Sequence, residues 1–409
     1  MVDGTFASTG LAVMLWKPRI VWDGSAITTY EPHGAFVRRI ATGGLEGYSH
    51  TIQRVGGFDK ASFGLTESVQ TDAEWWLSDS VGLHVEVLDR SNTIVWEGFI
   101  DEVSTTIGSL TIRRGPVTAI GNDVVVTYEQ TEQGYSSVPV SRNRVTTAPT
   151  YHDESIRLYG LRRKELATGS VASTAAIALG LGWVQSNALP RYTQAYTFER
   201  GGAKTFPITV SCLGYSQMLN YAYENIPVGA TGIQAQTITA KIGAILDADP
   251  NGLFSSANAD IATNALAVDM EESAGRDAWS LLKALNSYGM ATGNSTSLGV
   301  YEGRKVVYSE MTATSDEYIE EAMGELLGPP SVALNGTTPI PHWLVRPGKF
   351  MRYSDIFVGY QPIETLGQDP RRMLIEAVTF TWPDDLSISS GRLDTPMEAL
   401  NSRGLGGAN

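Results

Sequence analysis

Between Phe36 and Tyr128 one pattern recurs, short runs of β-branched and aromatic residues cut by turn formers, and it constrains the fold more than any other feature of the chain. Val85, Val87, Ile94 to Trp96, Phe99, Ile100, Val103, Leu110, Ile112 and Val124 to Val126 supply the strand-like runs. Asp89-Arg-Ser-Asn92 and Thr106-Ile-Gly-Ser109 fall between them as hairpin turns. An antiparallel barrel or sandwich is therefore expected over 36–130. Composition agrees: only 18% of the 409 residues are charged and there are 42 glycines, which favours sheets and turns over long helices.

The expectation for the whole chain is a mainly β, multi-domain protein with an α+β middle. Residues 1–35 carry Leu15-Trp16 and Ile20-Val-Trp22 broken by Pro18, Gly24 and Pro32, the pattern of an N-terminal arm of short strands able to pack on a neighbour. Residues 131–150 are rich in Gln, Ser, Thr, Pro and Arg and read as a linker or loop. In the α+β middle region, 151–310, helices are predicted over Ala172 to Ala188, Tyr215 to Glu224, Thr237 to Leu246 and Asp277 to Tyr288, the last stopped by Gly289. Strands are predicted at Thr205 to Leu213, Gly299 to Glu302 and Lys305 to Tyr308. The C-terminal region, 311–409, opens with a capping box at Thr314 to Glu317 and a helix over Asp316 to Leu327. It continues with strands at Trp343 to Val345, Phe350 to Tyr353, Ile356 to Tyr360 and Leu374 to Trp382, and ends in a mobile tail.

Charge and cysteine usage exclude whole classes. Forty-four acidic against 30 basic residues give a net charge of -14, unsuited to gripping phosphate backbones or anionic lipid. The single cysteine, Cys212, rules out an intrachain disulfide framework and lies in the apolar run Ile208 to Leu213, as a buried hydrophobe would. No stretch reaches the ~18 apolar residues of a membrane span. The opening Met1-Val-Asp-Gly lacks the basic flank of a secretion signal, so a soluble protein made in a cytoplasm is expected.

Three stretches, taken in order, resemble the tail-tip proteins of long-tailed bacteriophages, of the baseplate-hub or minor-tail type. The first comprises Gly57-Phe-Asp-Lys-Ala-Ser-Phe63, Gly82-Leu-His-Val-Glu-Val-Leu-Asp89 and Trp96-Glu-Gly-Phe-Ile-Asp-Glu-Val103, similar to the hub's first tail-tube-like barrel. Its physical content stands alone: Val85 and Val87 point inward on alternate positions, Asp89 opens a turn, and Gly98 bends the backbone at a barrel corner. The second is Asp153-Glu-Ser-Ile-Arg-Leu-Tyr-Gly160, similar to the element that precedes a helical insertion in phage minor tail proteins. The third is Pro341-His-Trp-Leu-Val-Arg-Pro-Gly348 with the run Met373 to Phe380, similar to the final β module. Trp96, Gly98, Tyr159, Gly160, Trp343 and Arg346 are the structural or interface candidates that follow. The resemblance implies a structural virion protein at the tail tip, a hub-like adaptor. It implies three-fold assembly among tail tube, distal tail and central fibre, with nucleic acid met only in transit. No lysozyme-like insertion is recognisable, so a cell-wall-degrading role is not carried over.

The chemistry of sites offers little. Asp247-Ala-Asp-Pro-Asn-Gly252 fits the first half of a calcium loop, with Asp247, Asp249 and Asn251 as oxygen donors, but Asn258 stands where the closing bidentate Glu belongs and Pro250 stiffens the turn. A structural turn is the preferred reading. The five histidines, His33, His50, His84, His152 and His342, form no i, i+4 pair and read as surface or core-edge residues, so no metal or other cofactor is expected. Nucleophile-elbow and phosphate-loop motifs are absent. Asp101-Glu102, Glu271-Glu272, Glu320-Glu321 and Asp384-Asp385 are adjacent carboxylates, which on a strand face opposite ways, and read as solvated faces; no enzyme is expected. Arg157, Arg162, Arg163 and Lys164 form either an exposed turn or a contact for an acidic neighbour. Trp75-Trp76, Trp96, Trp343 and Trp382 read as core or interface, the rival being the sugar-stacking platform of a carbohydrate-binding adhesin.

Overall fold

The computed structural model describes residues 11–41, 44–65, 69–89, 91–107, 110–131, 142–196, 206–220, 236–268, 277–290, 294–312, 331–334, 350–352, 372–381 and 385–391. The first module comprises β1 (Ala12–Trp22), β2 (Ile27–Ala41), β3 (Glu46–Gln53), β4 (Val55–Leu65), α1 (Gln70–Asp79), β5 (His84–Leu88), β6 (Ile94–Ile107) and β7 (Leu110–Arg114). A second group follows: β8 (Asp123–Thr131), β9 (Arg142–Thr146), β10 (Thr150–Tyr151), α2 (Asp153–Tyr159), β11 (Arg163–Ser170) and α3 (Ser173–Asn187). Next come β12 (Tyr192–Tyr196), β13 (Ile208–Leu213), α4 (Ile238–Asp247), β14 (Asp260–Ile261), α5 (Ala278–Met290), β15 (Asn294–Tyr301) and β16 (Lys305–Thr312). The described chain closes with β17 (Ser331–Leu334), β18 (Phe350–Arg352), β19 (Arg372–Thr381) and β20 (Asp385–Gly391).

The fold is mainly β, and sheet order does not follow chain order. One large sheet runs β17-β20-β19-β3-β4-β13-β6-β5-β1-β2. β13 lies between β4 and β6, antiparallel to both, with Val210 opposite Phe63 on one side and Val103 on the other. A smaller sheet, β8 to β11, carries α3 on one face. The main core is continuous from Leu11 to Phe380, with α4 and α5 contributing Ile242, Ile245, Leu282 and Leu285. Central strands are covered on both faces, so His84, Val85, Glu86 and Val87 are all buried although only two of them are apolar.

The expected hairpins, helices and strands are mostly present. Val85 and Val87 are fully buried, and Asp89 closes the β5–β6 turn by accepting the Ser91 and Thr93 N–H groups at 2.7 and 2.9 Å. Thr237 caps α4 through the Ala240 N–H, and Asp277 accepts from Ser280 before α5, so both predicted helices start where a capping side chain stands. α3 matches its prediction, but the buried stripe is Ala176, Gly180 and Val184, small residues against Val124 and Val126, while Leu179 faces outward. Tyr215–Asn220 is 3-10 and not α-helical, and the remainder of that predicted helix lies outside the described residues. Gly289 does not stop α5; the helix runs to Met290, and a Cβ at 289 would stand 2.2 Å from the Tyr308 hydroxyl, so the glycine serves packing.

Other expectations need correction. Pro18 and Pro32 do not break the N-terminal strands but sit inside β1 and β2, which form a long hairpin on the sheet with Val13 and Leu15 in the core. β9 lies within the stretch read as loop; it is mostly polar, with Val145 as its one apolar residue, packed against the smaller core, and its pairing with β8 defines it. Trp75 and Trp76 are on a helix, α1, inside the stretch expected to hold strands and turns. The predicted helix over Asp316 to Leu327 and the strands at Trp343 to Val345 and Ile356 to Tyr360 lie outside the described residues.

Candidate functional site: a histidine and carboxylate cluster under a bulged hairpin

Alternation along β5 sends Val85 and Val87 to the core and His84 and Glu86 to the opposite face. On that face β1 brings Trp16, paired in register with His84, and β6 brings Glu97, paired directly with Glu86. β2 adds His33 through a bulge. The ladder between β1 and β2 passes from Lys17↔Ala35 to Arg19↔Glu31, leaving Pro18 opposite Pro32, His33 and Gly34. Neither proline can donate to a ladder, so the pairing opens there. Gly34 is needed for the close crossing, since a Cβ would stand 2.6 Å from Arg19 N and 2.7 Å from Lys17 O.

The bulge swings His33 over β5. Its Nε2 stands 2.5 Å from Glu86 Oε1 and 3.2 Å from His84 Nε2, and its ring meets those of His84 and Trp16 edge to face. Trp16 Nε1–H donates to Glu86 Oε2 at 3.1 Å. His84 Nδ1 lies 2.8 Å from the Tyr215 hydroxyl and 3.2 Å from the Gly98 carbonyl oxygen. A carbonyl only accepts, so Nδ1 carries the proton and the Nε2 lone pair faces the cluster. Glu97 Oε2 accepts from the Gly303 N–H at 2.5 Å and Oε1 from Arg304 at 3.2 Å.

Two buried carboxylates directly opposite across an antiparallel pair repel unless positive groups offset them. Arg304 does so for Glu97, while Glu86 accepts from Trp16 Nε1–H and faces His33 Nε2. Burial pushes His84 down to about 4, its links to Glu86 only partly countering this, so the ring is neutral at pH 7. Burial alone would raise Glu86, but its contacts with His84 and His33 outweigh it and hold that carboxyl at about 2. Glu97 is raised by its burial, with Arg304 and the Gly303 N–H opposing. The His33, His84 and Glu86 donor atoms all lie within 4.8 Å of one another, a set able to hold a cation.

The residues singled out from sequence lie elsewhere or at its edge. Trp96 is fully buried beside Phe58, and its Nε1–H finds no acceptor among the described residues. Gly98 pairs with Val85 below the cluster; its role is close approach, because a Cβ would stand 2.2 Å from Leu213 O and 2.4 Å from the Trp96 ring. Tyr159 ends α2 buried, and Gly160 follows as its C-cap at φ 76 and ψ 177, a backbone conformation that only glycine adopts readily. Trp343 and Arg346 are outside the described residues. At the calcium-like loop, Asp249 accepts from the Asn251, Leu253 and Phe254 N–H groups, Asp247 accepts from Ser256, and Asn251 turns inward to bond Leu161 N at 2.7 Å.

The basic cluster is split: Arg162 is buried and donates to Tyr159 O, Arg163 pairs with Asp123 at 2.8 Å, and Arg157 and Lys164 remain outside. Asp101 is not on a solvated face; it is buried and accepts from the Thr118 N–H at 2.9 Å. Cys212 is buried as expected, its thiol pushed up by that burial. Among the described residues no helix is long and apolar enough to cross a membrane.

No family model and no curated protein matches the chain. Two solved structures align along nearly its whole length. The 43 kDa tail protein of prophage MuSo2 from Shewanella oneidensis is 11% identical over 95% of this chain and 98% of its own, with a TM-score of 0.39. A tail protein from Neisseria meningitidis MC58 is 8% identical over 95% of this chain and 99% of its own, with a TM-score of 0.41.

Proposed function

We propose that the chain is a structural component of a bacteriophage tail tip, a hub-like adaptor that joins tail tube and distal tail to the central fibre or receptor-binding apparatus and acts as a ring of copies, three in number. The observation that carries this reading is the placement of the hub-like motif: Gly82 to Asp89 and Trp96 to Val103 form the antiparallel β5–β6 hairpin within the large sheet, with Trp96 in its core. A part that works by contact also needs apolar surface to cover. Along α3, Ile177, Leu179 and Leu181 are exposed at 46 to 51%, with Leu189 and Tyr192 beyond them. Burial of Trp76 and Trp96 takes two of the indoles considered for a sugar platform away from any ligand, which favours the adaptor over the adhesin.

Light scattering on the purified protein, with antibody labelling of whole particles in negative stain, tests the proposal. A trimer mass and label at the tail end are expected. Leu179→Glu with Leu181→Glu should lower the mass while moving the melting temperature little, because surface changes cost within about 0.5 kcal/mol. A monomer that binds host polysaccharide and labels fibre tips would favour the adhesin.

A further inference from the structure

We propose that His33, His84 and Glu86 form a binding site for a first-row divalent transition-metal ion of the zinc type, which ties the bulge of β2 to the centre of the large sheet. The proposal does not depend on the tail role. It starts from ligand geometry. In a tetrahedral site with metal–nitrogen bonds of about 2.0–2.1 Å, neighbouring ligand atoms stand about 3.3–3.4 Å apart. The two imidazole Nε2 atoms are 3.2 Å apart, and His84 Nε2 is 3.7 Å from Glu86 Oε1. The His33–Glu86 separation of 2.5 Å is well short of that value and must open by roughly 0.8 Å to match the geometry. His33 is able to make that adjustment, being 42% exposed and carried on a bulge, whereas His84 and Glu86 are fixed in a central strand.

The surroundings are those of a ligand set. His84 Nδ1–H is spent on the Gly98 carbonyl and the Tyr215 hydroxyl, which fixes the ring and aims Nε2 at His33. The Glu86 oxygen facing away from the histidines is held by Trp16 Nε1–H, leaving Oε1 for the ion. His33 Nε2 faces an acceptor-only carboxylate and so carries a proton there, and the ion takes that proton's place between the same two groups, the proton leaving to solvent. The nearby cation, Arg304, is held by Glu97 and balances that carboxylate, so Glu86 remains for the metal. Glu97 Oε1 is 3.9 Å from His84 Nε2, close enough to accept from a water completing the ion's coordination. Two imidazoles with one carboxylate suit zinc and its neighbours; calcium and magnesium take six or more oxygens and find too few here.

The full-length protein, free of any histidine tag, is stripped with chelator, equilibrated with Zn²⁺ and assayed for bound metal by plasma mass spectrometry and for melting by circular dichroism. One zinc per chain and a higher melting temperature are expected. His33→Ala, a rim substitution, should weaken binding at least tenfold with an unchanged metal-free spectrum. Glu86→Gln gives a second reading should the first variant fold poorly, and Co²⁺ in place of zinc should give visible ligand-field bands in the wild type that both variants lose. A wild type that retains no zinc, or folded variants that retain it equally, would overturn the site.

Discussion

Gly98 has no room for a methyl group. Its Cβ position is filled by the carbonyl of Leu213 at the end of β13 and by the Trp96 ring, and backbone cannot swing aside as a flexible side chain can. Gly98→Ala should therefore destabilise the protein by about 1–3 kcal/mol, read as a lower urea midpoint at unchanged slope. Three residues on, Asp101 accepts from Thr118, yet burial raises its pKa above 3.8, its hydrogen bonds and Arg162 only partly opposing. With the folded value above the unfolded one, the native state holds the extra proton between them, and stability from this group is full below about 3.8 and lost as pH climbs through the raised native value. Measured against Asp101→Asn, in which other carboxylates cancel, the wild type should lose relative stability between acid and neutral pH; a difference flat with pH would contradict this. The burial of Cys212 was legible from its apolar neighbours. The His33–His84–Glu86 cluster was not, because its first member stands 51 and 53 residues from the others and arrives through a bulge. The one local signal was His84-Val-Glu86 at strand spacing, two ligand types on one face.

Elements with a cap or a clean period were readable. Thr237 and Asp277 mark the starts of α4 and α5, and Trp279, Leu282 and Leu285 form a buried face as their spacing implies. α1 went unseen because its apolar positions, Ala73, Trp76 and Leu77, make a short stripe between polar residues, and two adjacent tryptophans suggest a strand as readily. Arg38 over the Trp75 ring at 4.7 Å, with its guanidinium on Asp72, fastens that helix to β2, a contact no local pattern encodes. β9 illustrates the opposite case: a mostly polar strand held by backbone pairing and the packing of Val145, too short an apolar signal for alternation to be read. Gly180 argues against helix by propensity, yet it lets α3 approach Val126 closely, so tertiary packing outweighs a local cost of about 1 kcal/mol.

At the scale of the molecule, a reading that moves along the chain from module to module cannot see that β13 threads between β4 and β6 or that β19 pairs with β3. Those pairings are decided by which strands complete a shared core, a property of distant segments together. They also set how the protein should come apart. β6 and β13 are paired along Ile208 to Leu213 and share Ile100, Val103, Val210 and Cys212 in the main core. The smaller sheet has its own, smaller cluster of buried residues, among them Val124, Ala176 and Val184, and α3 is exposed along much of its length. Opening free energies follow buried apolar contact, so the smaller unit should open below the global limit while the central strands open only with the whole. Native-state hydrogen exchange read by mass spectrometry should find peptides over 94–107 and 208–213 exchanging together and last, and peptides over 163–187 exchanging earlier. Exchange of 208–213 in step with 163–187, its nearer neighbour in sequence, would mean that chain proximity governs cooperativity here and not the sheet order.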